Sequence, residues 1–254
     1  MVNSKKTVLA AMLGVFATTA LAASNLFAAS THVAVAANFT DAAKEISELF
    51  AQETGHEAVL SFGATGQFYT QIANGAPFEI LLAADNKRPT LAVTEGYGVE
   101  GTVFTYAIGQ LVLYTIQADE ELGVDYLKAG DFNKLAIANP ETAPYGLAAV
   151  ETLNNLDLYD ALQDKLIQGQ NIGQTYQFVE TGNAEVGFVA LGQVAQTDEG
   201  SRWIVPADLY TPIEQDAVLL VKGEDNPAAV EFLEFLQTDA AKDIITKYGY
   251  AVMD

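Results

Sequence analysis

The chain has 254 residues, half of them hydrophobic, and carries 12 Lys and Arg against 33 Asp and Glu, a formal net charge of -21. That is enough chain for one large core or two smaller ones, and so acidic a composition argues against nucleic acid and anionic membranes as partners, because both need clustered basic surface. With no Cys and only two His, disulfides, thiolate metal sites and Cys nucleophiles are excluded, and little remains for a His-rich metal site or a Ser-His relay.

Residues 1–29 read as a signal peptide. Lys5 and Lys6 precede an apolar run from Val8 to Ala22 broken only by Gly14, Thr18 and Thr19, and Ala20-Leu21-Ala22 has the A-x-A form of a cleavage site, with a second cut near Ala28 or Ala29. The run is too short and Ala-rich to cross ~30 Å of hydrocarbon, and no Cys follows it to carry a lipid. The expectation is an exported, periplasmic protein with no membrane insertion after cleavage.

Strands then alternate with helices. His32 to Ala37 is a short apolar strand. Asn38 follows as the expected N-cap, and Phe39, Ala42, Ala43, Ile46, Leu49 and Phe50 recur at helical spacing until Gly55. Ala58 to Phe62 is a strand, Gly63-Ala64-Thr65-Gly66 a tight turn, and Gln67 to Asn74 a helix stopped by Gly75 and Pro77. Phe78 to Ala84 reads as a strand covered on both faces, and Lys87 to Glu95 as a helix. From Gly109 the pattern restarts. Leu111 to Thr115 and Leu135 to Ala138 are strands; Tyr145 to Leu153, Tyr159 to Ile167 and Thr175 to Glu180 are helices. Val186 to Val189 is a buried strand, Ile204 and Val205 are extended, Ala217 to Val221 is a last strand, and helices over Pro227 to Leu236 and Ala240 to Tyr248 close the chain.

This order implies an α/β fold of mixed, mostly parallel sheets with helices on both faces. It divides into two lobes, 30–108 plus 222–254 and 109–221, with a ligand cleft between them at the carboxyl ends of the strands. Three strand-to-helix junctions there draw attention: Ala37-Asn38-Phe39-Thr40, Gly63-Ala64-Thr65-Gly66, and Pro140 through Tyr145-Gly146. Helix N-termini offer unpaired N–H groups and about half a positive charge, so they receive anions. Asn38 adds an NH2 and Thr65 a hydroxyl, while Gly66 permits close approach of backbone to a ligand. His32 and His56 are expected at the surface, and Trp203 with the Tyr and Phe residues in the core.

The run Ala36-Ala37-Asn38-Phe39-Thr40, Phe62-Gly63-Ala64-Thr65-Gly66, Gln71-Ile72-Ala73-Asn74-Gly75-Ala76-Pro77-Phe78-Glu79-Ile80 and Ala83-Ala84-Asp85 resembles the periplasmic molybdate-binding proteins of ABC importers. Further matches are Ala138-Asn139-Pro140, Pro144-Tyr145-Gly146, Val186-Gly187-Phe188-Val189 and Lys247-Tyr248-Gly249-Tyr250, so that the likeness covers nearly the whole mature chain in order. The resemblance implies the two-lobed class II solute-binding fold. It also implies a molybdate or tungstate oxyanion in the interlobe cleft, with no cofactor, no direct metal-ion ligand and no cationic side chain, and delivery by a monomer to an ABC-transporter permease.

It further implies the oxyanion contacts: Asn38 and Ala37 at the first junction, where the family commonly has Ser; the hydroxyl of Thr65; and backbone N–H groups of Tyr145 and Ile172. The family's Tyr after Gly187-Phe188-Val189 is replaced by Ala190. Alternatives are the same fold binding sulfate, phosphate or a small organic anion, and a ligand-sensing partner of a receptor. A carboxylate binder would use an Arg fork, but Arg88 and Arg202 lie outside these junctions. No triad, acid pair or metal cluster supports an enzyme.

Overall fold

The computed structural model describes residues 28–253; all but the last two residues of the signal-peptide reading lie outside them. In chain order the elements are β1 (Ser30–Ala36), a 3-10 turn (Ala37–Phe39), α1 (Thr40–Thr54), β2 (Glu57–Gly63), α2 (Thr65–Ala73), β3 (Ile80–Leu82), α3 (Lys87–Thr94), β4 (Phe104–Gly109) and β5 (Leu111–Thr115). They continue with α4 (Val124–Ala129), β6 (Leu135–Ala138), α5 (Pro144–Asn155), α6 (Tyr159–Leu162), β7 (Leu166–Gly169), α7 (Ile172–Glu180), β8 (Val186–Ala190), α8 (Leu191–Val194), β9 (Ser201–Ile204), β10 (Ile213–Leu219), α9 (Pro227–Phe235) and α10 (Asp239–Lys247).

Two five-stranded sheets form, one per lobe, in the orders β2-β1-β3-β10-β4 and β7-β6-β8-β5-β9. Each has a parallel core, β2-β1-β3 in one and β7-β6-β8 in the other, flanked by an antiparallel pair. The parallel strands are short and apolar because helices cover both faces: every residue of β3, β6 and β8 is buried. Two cores sandwich the first sheet. Phe39, Ile46, Phe50, Phe232 and Ile245 pack on one face, and Phe68, Ile72, Leu81, Ala92 and Val218 on the other. The second lobe's main core reaches across the cleft to Ala36, Ala37, Ala64 and Ala84 of the first.

The chain passes between the sheets twice, from β4 to β5 and from β9 to β10. The first crossing lies between Gly109, the end of β4, and Leu111, the start of β5. The return comes earlier than the boundary at 221, because β10 spans Ile213–Leu219 and pairs with β3 and β4 of the first sheet. The 109–221 lobe boundary is thus corrected to the segment before Ile213. The expected helix over Tyr159–Ile167 is also corrected. It ends at Leu162, and after a 3-10 turn Leu166–Gly169 is the edge strand β7, paired parallel with β6.

His56 is buried rather than exposed. It accepts the Ala29 N–H at Nδ1 (3.0 Å) and reaches Glu231 with Nε2 (3.1 Å). His32 is exposed as expected. Among the aromatics, Phe62 is exposed and lies beneath the Lys44 ammonium, and Trp203 is half-buried against the second core.

Candidate functional site

The carboxyl ends of β1 and β2 in one lobe face those of β6 and β7 in the other. β1 and β2 run almost directly into a helical turn, whereas two residues separate β7 from α7 and the loop 139–143 separates β6 from α5. Ala36, Ala37, Asn38, Gly63, Ala64, Thr65 and Ala84 from the first lobe, with Ala143, Pro144, Tyr145 and Ile172 from the second, enclose a single small cavity. All five residues singled out in the sequence line it, although they span positions 37 to 172. Its volume is about 10 Å³, against roughly 300 Å³ or more for drug-sized ligands. That is room for about one water molecule, so no amino acid, sugar or cofactor fits between the lobes as they stand.

The wall carries no charged side chain. Its polarity comes from helix starts. Ala64 is the N-cap of α2, Ala143 that of α5 and Asn171 that of α7, all in extended backbone. Thr65, Tyr145 and Ile172 therefore sit in first turns, where an N–H has no intrahelical carbonyl to reach. Pro144 fills the first position of α5 and brings no N–H of its own, so Tyr145 is that helix's first donor. Asn171 caps α7 by accepting from Gln174 N–H at 3.0 Å. The partial positive charge of each N-terminus thus converges on an uncharged, water-poor space.

Thr65 is 1 % exposed, and its Oγ1 accepts the Ala84 N–H at 3.0 Å. Having accepted there, the hydroxyl keeps its own hydrogen to donate. The Tyr145 hydroxyl points the other way, donating to Gln215 Oε1 at 3.2 Å, which leaves its backbone as the part that serves the cavity.

Asn38 differs from the expectation in two respects. It is not an N-cap: it sits inside the 3-10 turn whose flanking residue is Ala36, and α1 starts behind Phe39, neither with a side-chain cap. Its NH2 is already engaged, donating to Gln215 Oε1 (2.6 Å) and to the Tyr250 hydroxyl (3.2 Å), and its Oδ1 is buried with no partner. Tyr250 in turn donates to the Asn38 carbonyl at 2.7 Å. Gln215 Nε2 donates to Tyr106 (3.3 Å), whose hydroxyl donates to Ala83 O (3.0 Å). Tyr106 is the extra residue of a bulge opposite Gln215 and Asp216, and bulges re-aim side chains in this way. Burial holds the Tyr106, Tyr145 and Tyr250 phenols above their ordinary range, so they stay protonated donors. This network was not legible in the sequence: Gln215 and Tyr106 lie over a hundred positions apart and match no motif.

Gly66 was expected to approach a ligand. Instead its N–H donates to Thr142 O at 2.8 Å across the cleft, and a Cβ there would meet the Thr142 Cα and the Arg88 Nη2 at 3.0 Å each. Arg88 pairs with Asp85 and donates to Glu141 O at 3.0 Å, so the lobes are clasped beside the cavity. A larger hollow of about 330 Å³ opens outside this clasp. Asp85, Glu141, Glu151 and Glu214 line it against Lys87 and Arg88, a balance that repels anions. Among the described residues no cluster of His, Asp and Glu could hold a metal ion, and no helix is long and apolar enough to cross a membrane.

A family model for bacterial extracellular solute-binding proteins matches residues 31–251. The chain is 52% identical over 217 residues to the molybdate-binding protein ModA of Rhodobacter capsulatus, covering 85% of this chain and 86% of that protein. It is 51% identical over 231 residues to a ModA of Azotobacter vinelandii, covering 89% and 91%. A solved Azotobacter vinelandii periplasmic molybdate-binding protein superposes with a TM-score of 0.85 at 35% identity, over 88% of this chain and 100% of that one.

Proposed function

The chain belongs to the bacterial extracellular solute-binding proteins, and from that premise we propose that it captures molybdate, with tungstate as an equivalent ligand, and hands it to an ABC-transporter permease. The observation that carries this reading is the small uncharged cavity on which four helical N-termini converge. Relatives named for molybdate binding at more than half identity supply the chemical class. The protein acts outside the cytoplasm, as a monomer, without a cofactor and without catalysis.

The proposed contacts are the Thr65 hydroxyl, backbone N–H groups at Ala37, Asn38, Tyr145 and Ile172, and the Asn38 side chain. Donors to a charged oxygen contribute about 1.5–3 kcal/mol each, and several together offset the dehydration of a dianion. The chain's acidity does not prevent this, since exposed carboxylates more than a Debye length away, about 8 Å at physiological salt, are screened. Molybdate and tungstate are close in size and charge, so the cavity does not separate them. Sulfate has shorter bonds and spans the donors poorly. Closure of the lobes on the anion yields the state a permease recognises.

Isothermal titration of the mature, anion-stripped protein tests the reading. Expected are one-to-one binding of molybdate and tungstate and little heat from sulfate or phosphate. Silence toward the first two with heat from either of the others would keep the fold and replace the ligand.

A further inference from the structure

Asn38 meets the cavity with the wrong end for an anion. It is 3 % exposed and both amide hydrogens go to Gln215 and Tyr250. Neither of those residues lines the cavity, whereas Asn38 does. The Oδ1 is the one polar atom of that side chain still without a partner, on a residue that lines the cavity, and a carbonyl oxygen repels an oxyanion.

Gln215 can reverse this. Its Oε1 accepts from Asn38 at 2.6 Å and from Tyr145 at 3.2 Å, and its Nε2 donates to Tyr106 at 3.3 Å. The oxygen and nitrogen of a carboxamide are nearly equal in size, so both amides can turn half a revolution without displacing their neighbours. Gln215 Nε2 then donates to Asn38 Oδ1 and to the Tyr145 oxygen, while Gln215 Oε1 can accept from Tyr106 only if that hydroxyl gives up its bond to Ala83 O. The Tyr250 hydroxyl keeps its bond to the Asn38 carbonyl, at 2.7 Å. The Asn38 NH2 is left facing the cavity with both hydrogens free. Two bonds are lost on turning, the one Tyr250 accepts from Asn38 and one at Tyr106, to Gln215 or to Ala83 O, so the turned arrangement prevails only when something in the cavity accepts those hydrogens.

We infer that Asn38 and Gln215 are a coupled amide pair that turns together when the oxyanion enters, with Gln215 as the positioning residue that decides whether Asn38 offers an acceptor or a donor. The inference rests on the proposed function and adds to it a residue outside the ligand's contact shell.

Molybdate titrations of the wild type, Asn38→Ala, Gln215→Leu and the double variant test it, beside 15N side-chain amide spectra of the wild type with and without molybdate. Asn38→Ala is expected to weaken binding about 10–100-fold, the worth of a charge-assisted bond, and Gln215→Leu several-fold. The double variant should bind no more weakly than Asn38→Ala, because the two act as one unit. In the wild type, molybdate should shift the NH2 resonances of both residues. Binding by Asn38→Ala as tight as wild type or tighter, or a Gln215 amide that does not respond, overturns the inference while molybdate binding stands. The spectra decide the matter even where a variant misfolds. A wild type that takes up no molybdate removes the proposed function itself, and the inference with it.

Discussion

Thr65 lines the cavity and accepts from the Ala84 N–H with an oxygen whose own hydrogen is free to donate; the proposed contact gives it a second duty. Thr65→Val keeps the shape and removes both. The expected result is a loss of roughly 10–100-fold in molybdate affinity and a destabilisation of about 1–3 kcal/mol from the orphaned Ala84 N–H, while Thr65→Ser keeps most of each; calorimetry and urea melts read the two effects separately. Asp216 makes a different case. Burial raises its carboxyl above the ordinary Asp range, partly opposed by the Thr105 hydroxyl that donates to it at 2.7 Å. The folded protein then binds that proton more tightly than the unfolded chain, so Asp216's contribution to stability is present at low pH and is lost as pH rises through the elevated value. Asp216→Asn keeps an acceptor for Thr105 and removes the decline. It should match or exceed wild type at neutral pH, an advantage that vanishes in melts at or below the ordinary Asp range. A variant less stable than wild type at pH 7 would refute this.

At the scale of elements, the proposed binding unit is a strand end feeding a helix start. Such junctions were readable because apolar runs meet small or polar residues there, as at Ala36-Ala37-Asn38, Gly63-Ala64-Thr65 and Ala143-Pro144-Tyr145. The fourth, Gly169 to Ile172, was masked by a helix-like run over Tyr159–Ile167, where pairing with β6 overrides local pattern; Ile172 was placed there by family likeness alone. A site built from backbone donors makes a distinctive prediction. Ile172→Val should cost about 0.5–1.5 kcal/mol of stability, as buried methylene loss does, yet leave molybdate affinity within a few-fold. A large affinity loss without a matching stability loss would show that the side chain, not the N–H, matters.

At the scale of the molecule, the lobes meet where Gly66 N–H donates to Thr142 O and Arg88 to Glu141 O. Neither contact touches the cavity wall proper, so both should act through the open–closed balance. A methyl at Gly66 would press on the Thr142 backbone, 3.0 Å from its Cα, so the lobes must give by a few tenths of an ångström to meet. Gly66→Ala is expected to weaken molybdate binding tenfold or more, mainly through faster release, and to leave a larger radius of gyration by X-ray scattering at saturating ligand. Arg88→Ala should do the same to a smaller degree. Wild-type release kinetics in Gly66→Ala would show that the close approach is incidental.

The amino-acid sequence by itself determined the alternation of strands and helices and the cavity positions Ala37, Asn38, Thr65 and Tyr145. These follow from local periodicity, helix-start chemistry and motif likeness, all of which act over a few residues. The tertiary structure decided what depends on partners far along the chain. It placed β10 in the first sheet, buried His56, turned Gly66 toward the opposite lobe, and tied the Asn38 amide to Gln215 and Tyr250. A hydrogen bond fixes an amide's direction only once its partner is in place, and here the partners stand 177 and 212 residues away.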